Sequence, residues 1–396
     1  MRSAVIVAAR RTAIGKAPRG TLKDTRPEYM LAEVIKKLLE ETNLDPSLVQ
    51  DLTVGNAFPE AYQGMNIART VVYRAGLPYT IPAVTVNRFC ASGLQAIAQT
   101  AHRIMTGEID VAIAGGVESM SLVPMGGYVF RPEPHIAQTF PDYYLSMGLT
   151  AENLAEMYKI PREEVDKFAW ESYRKAQEYL KAGKHKEEVV PLKVKVRRED
   201  EFGNTVLEEK VFDIDECVRF DTSLEKISKL PPYFKKDGVV TAGNSSQRSD
   251  GGAAVILMSE EKASELGLKP IARFVTYQVA GVPAEIMGIG PAYAIPMALE
   301  KAGMKIDDLD LIEFNEAFAV QVLAAEQELK KKGIELPYDR LNVNGGAVAH
   351  GHPLGGTGAI LTVKLLYELK RRGGKYGMVT MCVGGGMGAA GIFEML

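Results

Sequence analysis

The chain of 396 residues contains only three cysteines, five histidines and one tryptophan. Three cysteines without a pairing pattern do not fit a disulfide-stabilised fold, and a working thiol requires a reducing compartment, so we expect a cytoplasmic protein. The formal net charge is only −3, which leaves no basic field for nucleic acid or an anionic membrane surface. No apolar run is long enough to cross a membrane, and the one at the N-terminus is too short for a signal peptide.

The composition is that of a globular enzyme, with 46% hydrophobic and 24% charged residues. The length fits two or three domains. Apolar residues predict a buried strand over residues 3–9, and their spacing of three and four predicts an amphipathic helix over residues 27–42.

A helix, a short connection and a strand that ends in asparagine occur twice. The first copy leads through Asp51 to Asn56 and the second through Asp310 to Asn315. Apolar strands that end in glycine follow in the same order, at residues 110–116 and 376–385. Many α/β proteins show local similarity of this kind, but two matches in the same order favour a duplicated α/β unit.

A stretch of different composition separates the two copies. Residues 119–249 are richer in proline, aromatic and charged residues, which is typical of an inserted subdomain. Strand-like composition returns after Asp250. We therefore expect an N-terminal half of residues 1–118 plus 250–269, an inserted loop domain of residues 119–249, and a C-terminal half of residues 270–396.

Three glycine-flanked segments carry Cys90, His352 and Cys382. Cys90 lies between a predicted strand and a predicted helix, and a helix N-terminus favours thiolate and can hold an oxyanion. Taken alone, a single cysteine is more often a small buried hydrophobic residue. The segment around His352 is too glycine-rich for a helix interior, so we expect a loop that leads into a helix beginning at Thr357. The proline after His352 disfavours helical backbone there.

Other readings of these segments are weaker. His350 and His352 lack a third ligand cluster, which argues against a metal site. A glycine pattern typical of dinucleotide binding begins at Gly386, but too little chain follows it for the required helix and strand. Asn315 could cap a helix or orient a water or a histidine. Cys217 has no glycine or histidine neighbours and is interpreted as structural.

The chain resembles the thiolase family over essentially its whole length. The matching motifs are the Ala-Val-Ile-Val opening, the N-x-x-C-x-S-G segment around Cys90, Gly115-Gly116-Val117-Glu118-Ser119-Met120, Asn315-Glu316-Ala317-Phe318, the Gly-His-Pro segment and C-x-G-G-G at Cys382. The resemblance implies an α/β fold, a five-layered α-β-α-β-α sandwich of two duplicated halves with an inserted loop domain. That fold agrees with the internal repeat.

The resemblance also implies catalytic roles. Cys90 would attack the ketone carbonyl of a 3-ketoacyl-CoA and keep the acyl group as a thioester. His352 would take the proton from Cys90 or from the incoming CoA thiol, and Cys382 would protonate the acetyl-CoA enolate. Asn315 would hold the water of one oxyanion hole with His352, and backbone N–H groups of Cys90 and Gly384 would form the other. Cleavage of a carbon–carbon bond needs such enolate stabilisation and a proton donor.

The resemblance implies coenzyme A as a substrate, with no tightly bound cofactor and no metal. Arg219 matches a position that packs on the adenine, and Ser246 matches a contact to pantetheine. Met147 and Phe318 would line the pantetheine tunnel. Thiolases form homodimers or homotetramers, and a complex with other β-oxidation enzymes is a further expectation.

The substrate range follows from finer comparison within the family. Residues 23–27, 86–90 and 243–247 look more like the degradative 3-ketoacyl-CoA thiolases, so we expect an acetyl-CoA C-acyltransferase of fatty-acid β-oxidation. The alternative is an acetoacetyl-CoA thiolase that condenses two acetyl-CoA. A non-catalytic CoA-binding relative would not need the retained active-site residues, and a decarboxylating ketosynthase would carry histidine where Cys382 stands. His350 replaces an aliphatic residue usual in the family and could perturb His352.

Overall fold

The computed structural model describes residues 2–199 and 201–396. The strands, in chain order, are β1 (Ala4–Thr12), β2 (Gly15–Lys16), β3 (Leu52–Gly55), β4 (Ala83–Val86), β5 (Val111–Ser119), β6 (Val189–Val190), β7 (Leu192–Glu199), β8 (Thr205–Phe212), β9 (Ser249–Ser259), β10 (Ala272–Gly281), β11 (Leu311–Phe314), β12 (Tyr376–Val383) and β13 (Met387–Met395). The α-helices are α1 (Pro27–Thr42), α2 (Ile67–Arg74), α3 (Ser92–Met105), α4 (Pro134–Thr139), α5 (Met147–Tyr158), α6 (Arg162–Lys181), α7 (Leu224–Ser228), α8 (Glu260–Glu265), α9 (Pro291–Ala302), α10 (Ala319–Lys330), α11 (Ala347–His350) and α12 (Leu354–Arg372).

The main sheet has two halves joined at a narrow junction. Its main strand order is β11-β12-β13-β10-β1-β9-β5-β3-β4, with β2 added beside β9 and β6 beside β1. The junction between β1 and β10 consists of two residue pairs, Val5 with Arg273 and Ile6 with Ala272. By contrast, β10 and β13 pair along their whole length. The short junction lets the two halves fold against each other with helices between them.

Helices and sheet halves alternate in five layers. Helices α1 and α2 cover the outer face of the N-terminal half, and α9 and α10 cover the outer face of the C-terminal half. Helices α3 and α12 pack against each other between the two sheet halves, where they form a shared apolar core. The predicted α-β-α-β-α sandwich is therefore confirmed.

The two halves repeat one topology, as the internal repeat predicts. In the N-terminal half β3 is parallel to β5, and β9 is antiparallel to both β5 and β1. In the C-terminal half β11 is parallel to β12, and β13 is antiparallel to both β12 and β10. Each half therefore contains the same four-strand arrangement in the same order.

The segment between β5 and β9 carries helices α5 and α6 and a two-stranded hairpin of β7 and β8. Side chains of α5 and α6 share an apolar cluster with Phe318 and Cys382 of the C-terminal half. The chain then returns to the main sheet as β9. The exact three-part division of the chain stays a prediction.

Two predicted boundaries are wrong. Strand β1 continues through Arg11 to Thr12, because the Arg11 side chain is buried and bonded to Asp215 and so does not end the strand in solvent. Helix α12 begins at Leu354, before Thr357, and contains three glycines. A Cβ atom on Gly355 would lie 2.6 Å from the Cα atom of Asn56, so close packing against the other half takes precedence over helix propensity.

No helix in the described part of the chain is both long and apolar enough to cross a membrane.

Candidate active site

A strained turn presents Cys90 at the start of α3. Phe89 has a positive φ of 41°, in the left-handed region that non-glycine residues rarely adopt. The Asn87 Oδ1 atom accepts from the Phe89 N–H at 2.8 Å, and the Ser92 hydroxyl donates to the Phe89 carbonyl at 2.7 Å. These two bonds hold the turn in one conformation and fix the direction of the Cys90 side chain.

Cys90 is a buried thiol that favours its protonated form. It is 8% exposed, and burial raises its pKa to about 11, although the backbone N–H groups of Gly384 and of Cys90 itself bond to its sulfur and oppose that rise. Both N–H groups therefore point toward the Cys90 sulfur. Because the thiol is protonated, Cys90 could act as a nucleophile only with a base nearby.

His352 has the protonation state that a base needs. Burial lowers its pKa to about 3, so the ring is neutral at neutral pH. The ring Nδ1 atom lies 2.6 Å from the Thr357 hydroxyl, which itself donates to the Pro353 carbonyl at 3.0 Å. The hydroxyl must therefore accept from the Nδ1–H group. In this tautomer Nε2 carries a lone pair, which can accept a hydrogen bond or a proton.

Asn315 follows β11 and turns its amide toward His352. Its Nδ2 atom lies 3.3 Å from the Nε2 atom of His352. The residue is 1% exposed, and its Oδ1 atom has no hydrogen-bond partner within residues 2–199 and 201–396. A buried oxygen of this kind is suited to bind a water molecule beside the imidazole.

Cys382 lies near the end of β12 and is fully buried. Burial raises the pKa of its thiol well above the ordinary value, and the neighbouring Cys90 raises it further. This effect of Cys90 on Cys382 indicates that the two thiols are neighbours. Cys382 is thus a second protonated thiol beside the first.

The four residues come from both halves of the duplication. Cys90 belongs to the N-terminal half, and Asn315, His352 and Cys382 to the C-terminal half. They gather where α3 and α12 begin, which the five-layer arrangement brings together. Among the described residues no group of three or more His, Cys, Asp or Glu side chains could hold a metal ion.

Apolar side chains line the approach to the thiols. A Cβ atom added to Gly384 would lie 3.6 Å from the Met147 sulfur and 3.8 Å from the Phe89 ring. Met147 and Phe318 pack in one cluster with Cys382. Ser246 is half-buried next to Phe318, with its N–H bonded to the Ala317 carbonyl at 3.0 Å.

Arg219 lies farther out, beside α6. It is half-buried, and its carbonyl accepts a hydrogen bond from Gln177 at 2.7 Å. Its neighbour Phe220 is 54% exposed. The structure therefore places Arg219 at the surface, apart from the buried thiols.

His350 belongs to a different network. Its Nδ1 atom lies 2.9 Å from Asp215, and its Nε2 atom lies 2.8 Å from the Asn344 carbonyl. Burial lowers its pKa. Asp215 is held in turn by a buried Arg11. Both ring nitrogens are thus engaged within this network, whereas His352 makes its contacts with Thr357 and Asn315.

Sequence reasoning missed Thr357 as the residue that orients His352. It treated Thr357 only as the first residue of a helix. A hydroxyl five residues after a histidine at a helix start is a signal that could have suggested the contact. Cys217, interpreted as structural, is 1% exposed and 3.6 Å from the Ser249 hydroxyl, within the central apolar core.

Comparison with known proteins gives a consistent picture. The family model "Thiolase, N-terminal domain" matches residues 4–261, and "Thiolase, C-terminal domain" matches residues 268–395. The 3-ketoacyl-CoA thiolase of Bacillus subtilis strain 168 is 51% identical over 395 residues, covering 100% of both chains. The acetyl-CoA acetyltransferase of Chromobacterium violaceum is 46% identical, covering 97% of each. Among solved structures, the dimeric peroxisomal thiolase of Saccharomyces cerevisiae has a TM-score of 0.89 at 38% identity, covering 100% of this chain and 98% of its own.

Proposed function

The chain belongs to the thiolase family, and on that premise we propose that it is an acetyl-CoA C-acyltransferase that cleaves 3-ketoacyl-CoA with coenzyme A. The observation that supports the proposal is that Cys90 and His352 precede the closely packed starts of α3 and α12, with Cys382 beside Cys90 and the Asn315 amide 3.3 Å from His352. A non-catalytic relative would have no need to retain this set. A decarboxylating ketosynthase is disfavoured because a thiol, and no second histidine, stands at position 382.

In the first half-reaction the Cys90 sulfur attacks the C3 ketone carbon of the substrate. The Nε2 atom of His352 takes the thiol proton, and the N–H groups of Cys90 and Gly384 stabilise one developing oxyanion. The bond between C2 and C3 then breaks. The Cys382 thiol gives its proton to C2, so acetyl-CoA leaves and the shortened acyl group stays on Cys90 as a thioester.

The second half-reaction transfers the acyl group to coenzyme A. Between the half-reactions His352 passes the proton it took from Cys90 to the Cys382 thiolate, which restores both groups. His352 then takes the proton of the CoA thiol, and the resulting thiolate attacks the thioester carbon. The bond to Cys90 breaks, and the Cys90 thiolate takes the proton held by His352. Asn315 would hold a water that, with His352, stabilises the oxygen of the acetyl-CoA enolate. The unpartnered Oδ1 atom of Asn315 supports that role.

We propose that the pantetheine arm runs along Met147 and Phe318, past Ser246, with the adenine end near Arg219. The proximity of Met147 to Gly384 and the packing of Phe318 in one cluster with Cys382 support this path near the thiols. Phe318 is 8% exposed, and Met147, Ser246 and Arg219 are each partly exposed. The nucleotide end would therefore remain at the surface.

A thiolysis assay across acyl chain lengths tests the activity. We expect cleavage of 3-ketoacyl-CoA substrates longer than acetoacetyl-CoA, and no cleavage by the Cys90→Ala variant. One of the relatives that match the chain is named 3-ketoacyl-CoA thiolase and another acetyl-CoA acetyltransferase. The acetoacetyl-specific enzyme is therefore the second candidate. Turnover of acetoacetyl-CoA alone would favour that candidate, and turnover of neither would contradict the proposal.

We propose a homodimer formed through the edge of the N-terminal sheet half. Strand β4 pairs only with β3 among the described strands, and Val84 on it is 43% exposed. Nearby Met65 is 99% exposed and Tyr79 is 74% exposed. An exposed sheet edge with apolar neighbours is a template for pairing. Sedimentation equilibrium should give twice the chain mass, and Met65→Asp should weaken the association.

Three free buried cysteines support a location in the cytoplasm, where thiols stay reduced. We also propose the three-part division into residues 1–118 with 250–269, residues 119–249 and residues 270–396. Association with other β-oxidation enzymes stays a prediction.

A further inference from the structure

The two halves of the duplication place different residues at one equivalent position. In the N-terminal half Gly55 pairs with Gly116, so Glu118 comes two residues later along β5, where it pairs with Gly251. In the C-terminal half Phe314 pairs with Thr380, so Cys382 comes two residues later along β12, where it pairs with Gly388. Glu118 is therefore the counterpart of Cys382. It is the one charged residue of the Gly-Gly-Val-Glu-Ser-Met motif, and the mechanism above does not use it.

The Glu118 carboxylate is buried and surrounded by hydrogen-bond donors. Its side chain is 1% exposed. One oxygen accepts the backbone N–H groups of Ala57 and Gly355, each at 2.8 Å. The other accepts the Gln63 amide at 2.6 Å and the Asn56 amide at 3.3 Å. Burial raises the pKa of this carboxyl, and the hydrogen bonds oppose that rise. Because every one of these groups donates, a carboxylate fits the site better than a neutral amide.

The bond to Gly355 connects Glu118 to the histidine. Gly355 is the second residue of α12, and no side chain of the N-cap residue Pro353 caps that helix. Glu118 therefore caps α12 from the opposite half of the molecule, where a negative charge also complements the helix dipole. His352 lies two residues before α12, and Thr357 in the first turns of α12 orients its ring. The position of His352 thus depends on where α12 begins.

The start of α12 also packs against the start of α3, the helix that follows Cys90. A Cβ atom on Gly116 would lie 2.3 Å from the Gly355 carbonyl and 2.9 Å from the Cα atom of Gly93, in the first turn of α3. The starts of α3 and α12 are therefore packed backbone to backbone beside Glu118. The Glu118 charge also acts on Cys90 and raises the pKa of its thiol.

We propose that Glu118 is a positioning residue that sets the placement of His352 relative to Cys90, by holding the start of α12 against the segment after β3. It touches neither substrate nor reacting atoms. The expected effect of Glu118 on turnover rests on the proposed thiolysis. Its effect on the reactivity of the Cys90 thiol can be measured without that assumption.

The test compares two variants with a matched control. Glu118→Gln removes the charge and places an amide group against donors. Glu118→Asp keeps the charge but shortens the side chain, so the carboxylate no longer reaches both backbone N–H groups. The control is Glu152→Gln, which alters another buried glutamate that accepts two backbone N–H groups, from Val239 and Val240.

Thiolysis kinetics give the first readout. We expect both Glu118 variants to lower kcat by about 10²-fold, the cost of displacing a catalytic group by about 1 Å. The KM for CoA should stay within about twofold, because Met147 and Phe318 do not contact Glu118. The control should keep both constants. Variants of Glu118 with the kcat of the parent protein would overturn the proposal, as would a kcat that falls only in step with the folded fraction measured by calorimetry.

Alkylation of Cys90 gives the second readout. Iodoacetamide labelling at pH 8 is followed on the peptide that carries Cys90. Glu118→Gln should react about threefold faster, because it removes the negative charge that contributes to the raised pKa of Cys90. Glu118→Asp should react at the rate of the parent protein. An equal acceleration in both variants would show that labelling is faster because α12 has moved; it would support the positioning role and contradict the effect of the Glu118 charge on Cys90.

These readouts separate the two hypotheses. A parent protein that fails to cleave any 3-ketoacyl-CoA would contradict the proposed function, while the alkylation rates would still test Glu118. Should Glu118→Gln not fold, Glu118→Asp carries the kinetic test.

Discussion

The two halves of the molecule share one topology but contribute different chemistry at matching positions. An asparagine follows the same strand in each half: Asn56 after β3 and Asn315 after β11. Asn56 donates to the Val117 carbonyl and to Glu118, whereas Asn315 faces His352. Both amides keep an unpartnered buried oxygen among the described residues. The duplicated position thus contacts Glu118 in one half and His352 in the other.

The two halves also differ in the residue before the central helix and in the residue at the end of the strand beside the asparagine. Each central helix is preceded by a reactive side chain, Cys90 before α3 and His352 before α12. At the end of the strand beside each asparagine lie Glu118 and Cys382. In the proposed mechanism the N-terminal half supplies the nucleophile and the buried Glu118 carboxyl, and the C-terminal half supplies the base and the second thiol. Duplication therefore provides two similar strand ends that can specialise separately.

The largest expected effect concerns the nucleophile of the N-terminal half. Cys90→Ala should reduce kcat for thiolysis on the order of 10⁶-fold, because no other group can carry the acyl chain. Steady-state assays with a fixed 3-ketoacyl-CoA measure this. Cys217→Ala is the control, since that thiol is also buried but lies in the central core. Loss of activity in the control and not in Cys90→Ala would reverse the assignment.

Substitution of the second thiol, Cys382, should impair a different step of the reaction. Cys382→Ala removes the proton donor and should lower kcat for thiolysis by about 10²- to 10⁴-fold. It should also abolish exchange of solvent deuterium into the methyl group of acetyl-CoA, since that exchange needs a group that removes the proton. Formation of the acyl-enzyme from acetyl-CoA, a thioester exchange, should persist. Normal deuterium exchange in Cys382→Ala would refute the proton-transfer role.

The paired asparagines offer a direct comparison of the halves. Asn315→Ala should lower kcat on the order of 10²-fold through loss of an oxyanion-hole contact. Asn56→Ala should lower kcat less but should destabilise the fold by about 1–3 kcal/mol, because it leaves the Val117 carbonyl without its buried donor. Calorimetry and kinetics on both variants measure the contrast. Equal effects on both readouts would show that the two positions have not diverged.

The last prediction concerns the pH dependence of stability, where the expected change within any one pH unit is small. His352 takes up a proton near its ordinary pKa of 6.5 in the unfolded chain but only near 3 in the folded one. Its contribution is therefore fully present above pH 6.5 and is lost as the pH falls toward 3, by at most about 1.4 kcal/mol per pH unit.

Urea unfolding at several pH values compares the parent protein with His352→Gln, which should lose that part of the slope. His135→Gln, at an exposed histidine, should behave as the parent protein does. An unchanged slope in His352→Gln would mean that the ring is not held neutral.

The sequence was sufficient for the duplicated α/β architecture because strand composition and the asparagines repeat in order. It also singled out Cys90, His352 and Cys382, since rare reactive residues stood beside glycines. It did not indicate that α12 begins at Leu354, because the glycines that lower helix propensity are selected for contact with Asn56 and Leu94 across the two halves. The buried pair of Arg11 and Asp215 was missed for the same reason, as its partners are distant in sequence.

The sequence also did not show that Glu118 and Cys382 occupy equivalent positions in the two halves. Alignment of the two strands by their glycines places Gly116 near Gly385, whereas strand register aligns Gly116 with Thr380. Only the paired strands fix which residues are equivalent. The contact of Thr357 with His352 likewise depends on the helix start, which local sequence alone did not give.

The division of labour between the halves is tested most directly by locating the acyl group. The parent protein is mixed with a 3-ketoacyl-CoA in the absence of free CoA, quenched in acid, digested and analysed by mass spectrometry. We predict the shortened acyl group on the peptide that contains Cys90 and none on the peptide that contains Cys382. An acyl group on Cys382, or on neither cysteine while acetyl-CoA is released, would contradict the account.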